Sequence, residues 1–338
     1  MLRIKHWCVG LLAICFALLV QAQDFETLKR SAEQGNAQAQ RNLGVMYFEG
    51  KGVAQNYAEA AKWFRNSAEK GDAWSQTLLG IMYAEGKGVS QDHAEAVKWY
   101  AKAAEQGNKS AQNSLGWMYD NGLGVTKNYA EAIKWYRSSA EQGDASGQYN
   151  LGVKYDEGSG VARNVTEAVK WYTKAAEQGH ASAQNNLGTM YADGQGVAQD
   201  DAEAVKWYAK AAEQGNAGGQ YNLGMRYLSG RGVVKNDAEV VRWYSKAAEQ
   251  GHVFAQNDLG AMYFEGRGVA QDYAEAAKWF RRSAEQGDAL GQYNLGVMYA
   301  KGRGLAQDDA EAAKWFSKAA EQGNENARNA LKTPKSVK

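Results

Sequence analysis

The chain has 338 residues, with 39 lysines and arginines against 38 aspartates and glutamates, and a net charge of +1. That length suits two ordinary domains or one extended repeat array. A near-neutral chain without basic blocks is a poor match to nucleic acid or to an anionic membrane surface. Its two cysteines, Cys8 and Cys15, both lie close to the N-terminus.

The first element in chain order is MLRIKHWCVGLLAICFALLVQAQ. Arg3 and Lys5 make a basic start, Cys8 to Val20 an apolar run, and Val20-Gln21-Ala22 an A-x-A-like end. This order predicts a cleaved secretory signal over residues 1–22, and with it a periplasmic or secreted protein. The apolar run is too short to span a bilayer comfortably, and Ile14 before Cys15 is not the small residue a lipoprotein site needs. Cleavage after Ala22 takes both cysteines with it, leaving no disulfide and no cysteine-based metal site. It also takes Arg3 and Lys5, so the charge moves from 39 − 38 = +1 to 37 − 38 = −1. No later apolar run could cross a membrane, so the mature chain is not expected to be an integral membrane protein.

From here one period governs the chain. Ala-Glu-Gln-Gly or a near copy ends at Gly35, Gly71, Gly107, Gly143, Gly179, Gly215, Gly251, Gly287 and Gly323, always at the same interval. Residues 23–35 precede the array as an N-terminal capping helix, eight repeats fill 36–323, and 324–338 form a C-terminal capping segment and tail. In the first repeat, Gln40, Leu43, Gly44 and Tyr47 share one face of a helix from Ala37 to about Glu49, here helix A. Gly50-Lys51-Gly52-Val53 breaks it, and Asn56 opens helix B.

Asn or Asp recurs at the start of every helix B, with Glu three residues on. This predicts a side-chain cap with a carboxylate that returns to the cap amide. Ala60, Trp63, Phe64, Ser67 and Ala68 supply the buried stripe of helix B, while Glu59 and Lys62 face water. The mid-helix glycine at Gly44 is costly by about 1 kcal/mol against alanine, so it predicts close approach to the Trp-aromatic pair of helix B. At the chain ends, Thr27 stands in the Trp63 position and Lys332 in the Gly44 position, as suits polar caps on a stack.

LGVMYFEGKGVAQNYAEAAKWFRNSAEKG and its seven copies resemble the tetratricopeptide class, and Sel1-like repeats more closely. The resemblance covers Asn36 to Gly323. It implies an all-α fold, an α/α solenoid wound as a right-handed superhelix, serving as a scaffold or adaptor. Exported bacterial members are associated with envelope assembly and host interaction. Some relatives are cysteine-rich and β-lactamase-like; a mature chain without cysteine departs from that pattern.

Chemical motifs point nowhere else. Gly302-Arg303-Gly304 lacks the third glycine of a dinucleotide fingerprint and no GK[ST] follows, so the recurrent G-x-G reads as a turn. His180 and His252 stand at matching turns and read as exposed, and His93 sits in the first turn of a helix B. No catalytic residue, no metal site and no cofactor is expected. The tryptophan row, Trp63 to Trp315, reads as inter-helix core rather than a sugar-binding platform.

Variation between copies is where a partner would be read. At about 100° per residue, positions 38, 41, 45 and 48 of the first repeat form a stripe apart from the fixed face of helix A. By resemblance helix A lines the concave surface, so the candidate partner-binding residues are Arg41, Phe48, Trp117, Tyr149, Asn185, Tyr221, Asn257, Phe264 and Tyr293. Tyr149, Tyr221 and Tyr293 alternate with asparagines in neighbouring repeats, and each follows a glycine by two residues. The expected partner is a protein or peptide, with peptidoglycan or another glycan as the alternative and a β-lactamase-like hydrolase behind both.

Overall fold

The structure, a computed structural model, describes residues 25–332, which form helices and no strand. The expected secretory signal and the end of the tail lie outside them. The architecture is the all-α solenoid anticipated from the repeats. It divides into two compact bodies, one up to Asn164 and one from Val165 on.

In the first body α1 spans residues 25–33. It is followed by α2 (Ala37–Glu49), α3 (Tyr57–Ala68), α4 (Ala73–Glu85), α5 (His93–Glu105), α6 (Lys109–Asn121), α7 (Tyr129–Glu141) and α8 (Ala145–Glu157). The second body holds α9 (Val165–Glu177), α10 (Ala181–Asp193), α11 (Asp201–Glu213), α12 (Ala217–Ser229), α13 (Asp237–Glu249) and α14 (Val253–Glu265). It continues with α15 (Tyr273–Glu285), α16 (Ala289–Lys301), α17 (Asp309–Glu321) and α18 (Glu325–Lys332). Even numbers are helices A and odd numbers from α3 are helices B.

Helix A begins at a capped turn and ends at a glycine. Asn36 accepts from the Ala39 amide, and Gly50 closes α2 in the left-handed region, with its N–H on Met46 O. The second glycine of the loop has a different task. A Cβ on Gly304 would lie 1.9 Å from the Tyr273 carbonyl oxygen, because the loop after α16 runs across the first turn of α15 in the preceding repeat. The G-x-G is therefore a helix stop followed by a backbone-to-backbone contact.

Helix B is capped as expected on one side only. Asn56 Oδ1 accepts from the Ala58 and Glu59 amides at 3.1 Å. The return by Glu59 does not occur, because the Asn56 amide donates to Tyr47 O at 2.8 Å and ties the loop back to helix A. Freed from the cap, Glu59 pairs with Lys62 on the solvent face, and the same i, i+3 pair recurs along the chain, as in Glu275 with Lys278. Such exposed pairs contribute little, a few tenths of a kcal/mol each.

The glycine inside helix A meets one ring. A Cβ on Gly44 would sit 2.6 Å from the Phe64 ring, and one on Gly260 2.8 Å from the Phe280 ring. The close approach is thus to the second aromatic of the pair. The tryptophan beside it reaches elsewhere: Trp99 packs with Ala60 and Phe64 of α3 and Leu79 and Met82 of α4. Trp243, Trp279 and Trp315 likewise join the core of the repeat before their own. Trp63, Trp99, Trp171, Trp243, Trp279 and Trp315 are buried, and Trp135 and Trp207 are half-buried. That placement puts six of the eight rings out of reach of a ligand.

A buried polar ladder runs beside the apolar core. Gln76 of α4 donates from Nε2 to Ala68 O at 2.9 Å, and its Oε1 accepts from Gln106 Nε2 at 2.7 Å. The same rung is built at Gln112, Gln184, Gln220, Gln256 and Gln292. The second glutamine of each rung is the one in Ala-Glu-Gln-Gly, so that signature is a hydrogen-bonding element as well as a turn. In the first repeat Lys70 replaces it, and Gln40 Oε1 is buried without a partner.

Two repeats carry a cation where others have methionine. Lys154 of α8 is buried, with Nζ 2.9 Å from Asp120 of α6. Arg226 of α12 lies 2.8 Å from Asp201 of α11.

Candidate functional site

The variable stripe of helix A separates into two kinds of position. Five of the eight exposed large apolar side chains among the described residues stand at positions 38 or 45 of their repeats: Trp74, Trp117, Met225, Phe254 and Leu290. Phe254 is 59% exposed and Trp117 47%, fractions that leave most of each ring in water. A soluble surface disperses such side chains, so their concentration on one stripe marks a contact surface.

Position 41, to which the sequence pattern gave most weight, is largely occupied by contacts within the chain. Asn257 is buried, and its Oδ1 accepts from Asn294 Nδ2 of the next helix A at 2.8 Å. Asn185 accepts in the same way from Asn222 at 2.9 Å, and Asn113 from Asn150 at 2.8 Å. Tyr221 is half-buried and donates its hydroxyl to Asp258 Oδ2 at 3.0 Å. Arg41 lies 2.9 Å from Asp72 and beneath the Trp74 ring, 5.7 Å from its centroid. Tyr149 and Tyr293 are half-buried, the latter with its ring centroid 5.8 Å from that of Phe316. A residue at position 41 thus tends to reach the next repeat, as Asn113, Asn185, Tyr221 and Asn257 each do.

The glycines that precede the tyrosines have a packing cause. A Cβ on Gly291 would lie 2.8 Å from Ser283 Cβ, and one on Gly219 2.6 Å from Ala211 Cβ, both on the preceding helix B. At position 48, Phe48 packs edge-on against Tyr57 at 5.2 Å, and Phe264 packs at a tilt against Tyr273, also at 5.2 Å. These two rings are half-buried parts of the repeat core.

The densest part of the stripe surrounds Tyr221. His252 stacks on its ring at 4.7 Å and Phe254 closes the edge at 6.4 Å. His252 is not an exposed turn residue. Half-buried, it is the N-cap of α14 and accepts from the Ala255 amide through Nδ1 at 3.2 Å. It stands where other repeats place Asn or Asp because imidazole can also accept a cap bond. Burial lowers its pKa from the ordinary value, opposed by the Asp258 charge. Burial raises the Asp258 carboxyl, opposed by the bonds from Tyr221 and Asn257. Asp258 is the member of this cluster that the sequence pattern missed; an acid at a position otherwise filled mostly by asparagine was its signal.

Between α4, α5 and α6 the stripe is indented by a pocket of about 330 Å³, lined by Ala84, Tyr100, Asn113, Ser114, Trp117 and Met118. A depression of about 420 Å³ beside α15 is lined by Ala274, Ala277, Lys278, Arg281, Arg282 and Glu285 with the loop glycine Gly304 and Leu305. Arg281 and Arg282 are exposed, and Arg281 is held by the Tyr299 hydroxyl at 2.8 Å. Among the described residues no group of three or more His, Asp or Glu stands where it could hold a metal ion. No described helix is long and apolar enough to cross a membrane.

Comparison with known proteins places this geometry. The family model described as Sel1 repeat matches residues 37–72, 75–108, 109–144, 145–180, 181–216, 217–252, 253–288 and 289–324. Among solved structures, a protective antigen present in uropathogenic Escherichia coli strains, displaying an SLR fold, is 44% identical with a TM-score of 0.79. The match covers 91% of this chain and 66% of that one, so the chain spans just under two thirds of its length. A Sel1 repeat protein from Oxalobacter formigenes is 36% identical with a TM-score of 0.68, covering 94% of this chain and 92% of the other. No curated protein matches the chain.

Proposed function

The chain belongs to the Sel1 repeat family, and on that premise we propose that it is an exported, non-enzymatic scaffold binding a protein or peptide along helix A. Sel1 repeats are generally protein-interaction scaffolds. The observation that carries the reading is that exposed large apolar side chains recur on the same helix-A stripe within each body, Trp74 and Trp117 in the first and Met225, Phe254 and Leu290 in the second, while the other aromatics are mostly packed. Large rings in shallow relief, backed by a rigid helix pair, are what protein contact surfaces are made of. Export is supported by the basic start, apolar run and small-residue end of residues 1–22. The likeness to a protective antigen of uropathogenic strains is in keeping with an envelope or host-facing role.

A protein partner fits the stripe better than a glycan. Most of the polar rungs that a sugar would use are engaged: Asn185 and Asn257 each accept from a neighbouring asparagine and donate to the adjacent side chain, and the Tyr221 hydroxyl is given to Asp258. What faces outward is apolar ring and thioether.

The test is site-directed photo-cross-linking in the native envelope fraction and culture medium. A benzophenone side chain at position 74 or 254 should form a discrete adduct with one protein, and the same group at Lys62 on the outer face of helix B should form none. Adducts from Lys62 alone would overturn the reading. So would cosedimentation with purified cell wall that survives Trp74→Asp and Phe254→Asp, or nitrocefin turnover by the purified chain.

A further inference from the structure

Resting on that reading, we infer that the pocket between α4, α5 and α6 is an anchor site for one aromatic side chain of an extended, locally uncharged peptide segment. The first repeat shows what fills such a space. There Phe48 lies 6.3 Å from the Phe64 ring and Leu78 packs against the same cluster. One repeat on, Ala84 stands in the Phe48 position, Ser114 in the Leu78 position and Tyr100 in the Phe64 position. Two large side chains have become small beside the Tyr100 ring. The space of about 330 Å³ is what remains.

The walls define the guest. Tyr100 and Met118 are buried and form the floor, Ala84 is the low rim, and Trp117 stands half in water as the opposite wall. A volume at the low end of ligand pockets takes one ring rather than a whole small molecule. No acid or base lines it, so a charged side chain would be desolvated there without a partner. An uncharged aromatic side chain repeats the contact that Phe48 makes within the chain. Asn113 offers the polar handle: its Oδ1 is taken by Asn150, while its Nδ2 has no partner among the described residues and can donate to a peptide carbonyl. In the seventh repeat Phe264 again fills the matching position; the fifth carries Ala192 there, but that alanine is buried in a closed cluster with Tyr208.

Ala84→Phe tests this with a residue the protein already carries at the same position twice. A displayed library of random peptides is panned on the full chain, and enriched peptides are titrated as fluorescent conjugates against wild type, Ala84→Phe, and a Trp74→Asp, Phe254→Asp double variant. The expected result is a set sharing one Phe, Tyr or Trp among uncharged neighbours. Ala84→Phe should weaken these by about tenfold or more while leaving the melting temperature unchanged or raised. Peptides unaffected by Ala84→Phe but lost on the double variant would overturn the pocket and leave the wider contact stripe standing. Peptides insensitive to every variant would overturn both. Competition by soluble peptidoglycan fragments, abolished by Ala84→Phe, would show a sugar subsite and overturn the peptide assignment.

Discussion

Gly260 and Phe280 show how little room one residue leaves. Alanine is the better helix former by about 1 kcal/mol, yet its methyl would sit 2.8 Å from two ring carbons. Overpacking of a rigid ring costs about 1–3 kcal/mol, so Gly260→Ala is expected to be destabilising despite its propensity. Urea denaturation should record the midpoint falling; a rise would mean that the ring yields freely. His252 gives a second residue-scale expectation, with its sign fixed by burial. Its folded pKa is lowered from 6.5, so the native state resists the proton and stability declines as pH falls through the imidazole range. Protonation also removes the Nδ1 acceptor from Ala255 and puts positive charge at a helix N-terminus. The raised carboxyl of Asp258 acts in the opposite sense, gaining a proton in the native state at more acid pH. His252→Asn supplies the cap that other repeats use. Its melting temperature should match wild type near pH 8 and exceed it increasingly as pH falls below about 6.5. Parallel curves for the two proteins would refute this.

At the scale of helices and their joints, the glutamine ladder is where one repeat commits to the next. Its first rung is incomplete: Lys70 turns to the Gly35 carbonyl, and Gln40 Oε1 is left buried without a donor. Lys70→Gln should complete it and stabilise the chain by about 1 kcal/mol, visible as a higher denaturation midpoint; no change would mean that water already serves Gln40. The same scale shows what the residues alone disclosed. Helix A from Ala37 to Glu49, the glycine stop, the Asn56 cap and the ring above Gly44 were legible because each rests on local spacing or on a residue with one outstanding property. The role of Gln106 was not legible, since its acceptor lies one repeat away and a polar residue beside a turn looks solvated. Position 41 misled for the same reason. Periodicity reports that Asn185 and Tyr221 vary, but only the packed helices show that Asn185 meets Asn222 and Tyr221 meets Asp258. Exposure then moves the candidate site toward Trp74, Trp117, Met225 and Phe254, on the stripe the variation had marked. Leu290 carried a signal as well: an aliphatic at a place held elsewhere by Gln38, Ser110, Ser146 and Ser182.

For the molecule as a whole, neighbour-only contacts make repeats removable in matched pairs. Excising residues 217–288 would join the fifth repeat to the eighth. The junction would bring Asn185 opposite Asn294 and Gly291 against Ala211, pairings that the intact second body already contains in kind. Stability in such arrays is approximately a sum of repeat and interface terms. The shortened chain should therefore keep its helical ellipticity per residue, with a lower midpoint and a still cooperative transition by circular dichroism. A loss of helicity per residue would show that coupling extends past nearest neighbours.

Two cations, the buried Lys154 and the half-buried Arg226, bear on how the chain reaches this state. Near-identical repeats can pair out of order while they fold, since almost any helix A offers the same ring-and-glycine seam to almost any helix B. Lys154 cannot be treated so. Docked anywhere but beside Asp120 it keeps only Glu157 of its own helix, 3.4 Å away and half in water, and loses its 2.9 Å partner in the seam. Arg226 is tied in the same way to Asp201. Each pair acts as an address label, rejecting misassembled neighbours that shape alone would accept.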